Sequence, residues 1–258
     1  MIKERKIVFS LLFTVLLLLP VNALAESIVL FDQGHGQQFL VENNRPLDLS
    51  ELATLFINEG ATITTSKEQL STDILQGVDT LIISGPFVPL TGPEVHAILQ
   101  FVQQGGNLAL MAHIAQPIAG IIKMLGGVIS SAAVYEQKNI IGGNPRDFMV
   151  NKLAEHPLTN GLDAFAAYGT WALMAEKEGT KEIASTSEDS WVDLNMNGVL
   201  NDRDAKQSFA LILAGNMGMG KFVIFGDDAL FQNQFLQGGN RILGQNLARW
   251  FTQNRQQI

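Results

Sequence analysis

Asp32, His35, His113, Asp227 and Asp228 are the side chains of this sequence best placed to move a proton or hold a cation, because each closely follows an apolar run. The run from Ser27 to Phe31 ends in Asp32-Gln33-Gly34-His35-Gly36, the run from Asn107 to Met111 leads to His113, and the run from Lys221 to Phe225 leads to Gly226-Asp227-Asp228. Two imidazoles and three carboxylates on neighbouring strand ends would bind a divalent cation through nitrogen and oxygen, activate a water, or orient a sugar through paired hydrogen bonds. The competing reading is structural: an Asp after a strand caps the next helix, and a histidine at a buried strand end is hydrogen-bonded framework.

Asp193, Asn195, Asn197, Asn201 and Asp204 form a second pattern, in the segment DLNMNGVLNDRD at 193–204. Oxygen side chains at loop positions 1, 3, 5, 9 and 12, with Gly198 at position 6 and Leu200 at position 8, follow the spacing of an EF-hand-type calcium loop. The departures are Asp204 in place of a longer bidentate Glu and Asn in place of Asp at positions 3 and 5. The run from Phe209 to Ala214 reads as a strand, so helix–loop–helix flanks are not expected. The segment resembles the dockerin-type calcium loop, and a structural calcium ion is the expected cofactor. Without an ion the same residues make an Asn/Asp/Gly turn.

Other motifs carry less. Ser84-Gly85-Pro86 lacks a nucleophile elbow, and the Gly215 to Lys221 segment lacks the order of a phosphate loop and precedes a strand. His96 falls in mid-helix and reads as solvated. Trp171 and Trp191 read as exposed faces able to stack on a sugar, with packing as the alternative.

The elements that must position these residues alternate between strand and helix. Strands are expected at 27–31, 61–65, 80–84, 107–111, 209–214 and 221–225. Helices are expected at 47–58, from Thr91 with a capping box to Glu94, at about 117–125, and at 240–252. Short strands are expected at 128–135 and 140–141, while residues 144–182, which include His156-Pro157-Leu158-Thr159-Asn160-Gly161, show no clear period. This alternation predicts an α/β fold: a flavodoxin-like, mostly parallel sheet with helices on both faces and an antiparallel excursion near the C-terminus. Ligands of such sheets bind outside the carboxyl ends of the strands, where the first group of residues falls.

Residues 1–25 read as a secretory signal peptide. Lys3, Arg5 and Lys6 precede an apolar run from Ile7 to Leu19, then Pro20 and the cleavage pattern Ala23-Leu24-Ala25. Residues 26–258 then form a single domain, periplasmic or secreted, with no stable membrane span after cleavage. The 258 residues are 47% hydrophobic and 16% charged, with a formal net charge of −8 and no cysteine. This balance repels nucleic acid and anionic lipid. The missing cysteine excludes disulfides, thiolate-bound metals and every thiol nucleophile.

The segments DTLIISGPFVPLTGPEVHAILQFVQQGGNLALMAH, IAGIIKMLGG, HPLTNGL and GKFVIFGDDALFQNQFLQGGNRILGQNLARWF are similar to exported members of the class I glutamine amidotransferase-like superfamily. The nearest likeness is to a bacterial family related to the auxiliary domain of gliding-motility-associated ABC transporters and to intraflagellar transport proteins of the same fold. The resemblance implies a flavodoxin-like sheet and a lost nucleophile. Ala112 stands where catalytic relatives carry cysteine, and Gly226-Asp227-Asp228 replaces their His-x-Glu. Thiol-dependent glutamine hydrolysis is therefore excluded. The expected function is an exported, non-catalytic domain that binds a small ligand or a partner protein at the carboxyl edge of its sheet, auxiliary to an envelope transport or surface-assembly system. The alternative is a periplasmic hydrolase of a glycan or ester that uses the Asp and His residues at the strand ends.

Overall fold

The computed structural model describes residues 26–114 and 116–253, so the expected signal peptide lies outside the described residues. Four strands, β1 (Ser27–Asp32), β2 (Ala61–Ser66), β3 (Thr80–Ser84) and β4 (Asn107–Met111), form a parallel block with the strand Gly220–Phe225. Their order is β2-β1-β3-β4 and then Gly220–Phe225, with every pairing parallel. This is the 2-1-3-4-5 order of a doubly wound sheet, compatible with the flavodoxin-like expectation.

Side chains on these strands alternate between two buried clusters, as the pleat demands. Val29, Phe31, Ile82, Ala109, Met111, Val223 and Phe225 pack with Leu52 and Phe56 of α1 (Ser50–Asn58) and Leu243, Leu247 and Phe251 of α4 (Gly238–Thr252). Leu30, Leu81, Ile83, Leu108, Leu110, Phe222 and Ile224 pack with Ile98 and Val102 of α2 (Gly92–Gln103) and Ile121 and Ile122 of α3 (Ala119–Met124). Every residue of β3 and β4 is buried, which is why both read as continuous apolar runs.

The antiparallel part is far larger than the expected excursion. Ala210–Met217 pairs with Gly220–Phe225, Trp171–Ala175 with Ala210–Met217, and β5 (Gly127–Tyr135) with Trp171–Ala175. Trp191–Val192 and then Ala205–Lys206 complete that side. Thr180–Ser185 also pairs with Ala210–Met217 and with Lys152–Leu153, so that twelve strands form the main sheet among the described residues. A separate three-stranded sheet joins Ile140–Ile141, Asn144–Val150 and Phe165–Tyr168. The segment without a legible period is thus mostly short strands.

Two local expectations change. Helix α1 starts at Ser50 rather than Leu47, and the Asp48 carboxylate just before it accepts the Leu40 and Arg45 N–H groups and the Arg45 guanidinium. The helix expected at about 117–125 is a 3₁₀ turn, Gln116–Ile118, followed by α3. Among the described residues no helix is long and apolar enough to cross a membrane.

Candidate functional site

The parallel pairing aligns the strand ends that carry the polar residues. Ser84 lies in register with Met111, and Phe225 with Met111, while β1 runs beside β3 with Phe31 opposite Ile82. Asp32, Ser84, His113, Asp227 and Asp228 therefore share one rim. Within it they separate into two hydrogen-bonded groups.

The first group is closed. His35 Nδ1 lies 2.7 Å from Asp32 Oδ2, and His35 Nε2 lies 3.0 Å from Glu94 Oε1, with all three residues buried. Gln37 Nε2 donates to Asp32 Oδ2 at 2.6 Å, and its Oε1 accepts the His35 N–H at 2.8 Å. Burial opposes charge on this imidazole, but the hydrogen bond and charge of Asp32, joined by those of Glu94, raise its pKa above the ordinary value. Both ring nitrogens are committed, so His35 fixes the turn after β1 and offers no atom to a ligand. Glu94 was legible only as the capping-box residue of α2, where it accepts the Thr91 N–H at 2.8 Å and the Thr91 hydroxyl at 2.7 Å. Its Oε1 reaches back 59 positions to His35, and no local signal announces that contact.

The second group is open. His113 Nδ1 lies 3.0 Å from Asp228 Oδ1, and the Ser84 hydroxyl donates to Asp228 Oδ2 at 3.4 Å. Asp228 is fully buried, whereas the His113 side chain keeps 32% of its surface exposed. The Phe39 and Phe87 rings flank the imidazole, with centroids at 5.0 and 5.4 Å. The Trp171 indole N–H donates to the His113 carbonyl at 3.1 Å. Glycine is required at 85, where φ is +55° and a Cβ would collide with Asp228 Oδ2.

The hydrogen bond to Asp228 raises the pKa of His113, against the opposing effect of burial. Burial raises Asp228 in turn, with His113 pulling the other way. Asp227, fully enclosed and next to that charge, is pushed well above the carboxylate range by burial first and by Asp228 second. Its Oδ2 accepts the Ala229 N–H at 2.9 Å. One ligand atom each from His113, Asp227 and Asp228 lies within 4.8 Å of the others, so this group has the spacing to share a proton or a cation. An imidazole held at Nδ1 by a carboxylate presents Nε2 outward, as a donor when charged and as a base when neutral.

The residues of the 193–204 loop lie apart from these groups. Trp191, two residues before Asp193, is 6% exposed and stacks on Tyr135 with centroids 4.5 Å apart. The expectation of an exposed Trp191 is therefore corrected: β5 covers the ring by long-range pairing. Trp171 is half-buried. His96 is exposed, as expected of a solvated helix position.

Comparison with known proteins adds a family and a fold. A family model described as "Domain of unknown function (DUF4350)" matches residues 41–248, and the chain belongs to this family. No curated protein matches the sequence. Among solved structures, the mmIFT52 N-terminal domain superposes with a TM-score of 0.70 at 16% identity, covering 87% of this chain and 97% of that one. A ThuA-like protein from Bacteroides uniformis gives 0.53 at 16% identity, covering 90% and 95%. A cytoplasmic protein from Salmonella typhimurium LT2 gives 0.55 at 14% identity, covering 87% and 99%. At these identities the likeness establishes the fold alone. The ThuA-like neighbours carry the glutamine amidotransferase-like fold that the sequence resembles.

Proposed function

We propose that this DUF4350-family chain is an exported, non-catalytic binding domain that takes a small ligand at the carboxyl edge of its sheet, auxiliary to an envelope transport or surface-assembly system. The observation that carries the reading is His113. Its imidazole is anchored by a buried carboxylate, set between two phenyl rings and left one-third open to solvent. Such a group recognises a hydrogen-bond acceptor or an anionic oxygen attached to an apolar body, with the charge supplied by the imidazolium and the contact area by the rings. Ala112, the residue that the family resemblance aligns with the lost thiol, is fully buried, and its N–H is bonded to the Phe225 carbonyl. In this reading it is a packing residue at the floor of the crevice.

The test is a ligand-observed NMR screen of small carboxylates, sugars and aromatic acids against the wild type and His113→Phe. Hits should bind the wild type and lose at least tenfold in affinity with the variant, while the fold persists by circular dichroism. Hits that bind the variant equally well would place the ligand site elsewhere.

One observation favours a second reading, a hydrolase of a glycan or ester. The His113–Asp228 pair has the orientation of a general base and its anchor. Ser84 donates to Asp228 rather than to the imidazole, so the nucleophile would be a water. Turnover of an ester or glycoside panel, abolished by His113→Ala, would favour this reading over the first.

A further inference from the structure

We propose that the loop 193–204 is a calcium site that builds one wall of a pocket closed on its other side by Tyr135, Arg146 and Trp171, so that the ion fixes the shape of that pocket. The loop closes on itself through its two end carboxylates. Asp193, 5% exposed, accepts the Asn197 N–H at 3.1 Å and the Gly198 N–H at 2.6 Å. Asp204 accepts the Leu194 N–H at 3.2 Å and the Asn201 N–H at 2.8 Å. Gly198, at the sixth loop position, takes φ +74°, the left-handed turn that calcium loops reserve for glycine. These bonds occupy one lone pair on each carboxylate oxygen and leave a second free for a cation.

An independent observation points to a ligand. Asn195 Oδ1, at the third loop position, is buried and has no hydrogen-bond partner, while its Nδ2 donates to Asn201 Oδ1 at 3.1 Å. A buried acceptor left unmade is costly, and native structures rarely retain one without an ion, a water or a strain that accounts for it. A hard oxygen-seeking cation bound among positions 1, 3, 5, 9 and 12 would satisfy it. Calcium accepts such a set of neutral and charged oxygens, in line with weak sites of about 10⁻⁴ to 10⁻³ M.

The loop is linked to the rim through Trp171. Asp193, Met196 and Asn197 line a pocket of about 470 Å³ whose other side is Tyr135, Arg146 and Trp171. Trp171 is the residue that holds the His113 carbonyl, and Tyr135 stacks on Trp191 at the root of the loop. Filling the ion site fixes Asn197 and Met196 against Tyr135 and Trp171, and so sets the width of the pocket. The link from this wall to ligand binding rests on the reading of the crevice given above. The ion site and its effect on the wall do not.

The test uses metal ions alone. Terbium, which takes calcium's oxygen ligands, should give saturable luminescence when tryptophan is excited, because Trp191 lies two residues from Asp193, and calcium should displace it. Addition of calcium should slow amide exchange in residues 128–135 and 144–150. Asn195→Ala and Asp204→Ala, chosen because Asp193 is too buried to remove safely, should weaken calcium at least tenfold with an unchanged far-ultraviolet spectrum. No saturable binding up to about 10 mM calcium, a tenfold excess over weak sites, or equal binding by both variants would overturn the ion site. Binding that leaves exchange in those two segments unchanged would overturn the wall. Neither result depends on the outcome of the His113 screen.

Discussion

His113 Nδ1 and Asp228 Oδ1 stand 3.0 Å apart, joining strand ends that are 115 residues distant along the chain. The bond raises the imidazole pKa, and the sign of the consequence follows. A group whose folded pKa lies above its unfolded one stabilises the fold fully below the unfolded value of about 6.5, and that contribution fades as pH rises through the folded pKa. The His113 ring proton followed by NMR should therefore titrate above 6.5. In Asp228→Asn only burial remains, and the midpoint should drop below 6.5. A wild-type midpoint at or below 6.5 would show that the pair is not ionic.

Asp227 is shifted in the same direction for a different reason, burial beside a second carboxylate. Its proton is bound more tightly in the folded state, so its contribution is present at low pH and is lost as pH rises through the raised pKa. Asp227→Asn keeps an oxygen for the Ala229 N–H and removes the titration. The variant should melt at or above the wild-type temperature at pH 8, and its melting temperature should vary less between pH 5 and pH 8. A steeper profile in the variant would contradict the assignment.

Glu94 serves three partners at once: His35, the Thr91 cap and the Leu70 N–H at 3.1 Å. Glu94→Ala strips one side of a buried ion pair, and breaking such a pair costs about 3–5 kcal/mol. Urea unfolding of the variant should show a loss of that size with no change in the His113 titration. A loss under about 1 kcal/mol, the scale of an exposed pair, would mean that His35 is neutral.

Much of this architecture can be read from residue order alone. The strands β3 and β4 are continuous apolar runs because both of their faces are covered, and the Thr91–Glu94 box marks the start of α2. What fails is whatever depends on distant pairing. Asn144–Val150 opens with Asn-Pro-Arg-Asp and leaves its first three residues exposed, so it has no period to detect; its partners are Ile140–Ile141 and Phe165–Tyr168. The five candidates at the strand ends are legible in residue order, but their division into a closed and an open group is not. The contact of Glu94 with His35 depends on where α2 lies, and the setting of His113 depends on Phe39 and Phe87, both far from it in the chain. Asn240 is another residue that local reading passes over. Its amide accepts the Ala166 N–H and donates to the Ala166 and Leu230 carbonyls from within α4.

Gly85 has a left-handed φ of +55° and leaves no space for a side chain against Asp228. Gly85→Ala should therefore lower stability by roughly 1–3 kcal/mol through backbone strain alone, and should displace Asp228 from His113. Calorimetry would record the first effect and the His113 titration the second. An unchanged melting temperature would mean that the turn relaxes freely.

The strand Gly220–Phe225 enters the sheet near the end of the chain, yet it sits in the middle, between β4 and Ala210–Met217. Until it is in place the parallel half and the antiparallel half each expose an unpaired edge, so that neither is a finished unit. The two halves are keyed together by a strand that follows all the others in chain order among the described residues. Assembly of the crevice, whose Asp227 and Asp228 ride on that same piece, must therefore coincide with completion of the fold rather than precede it.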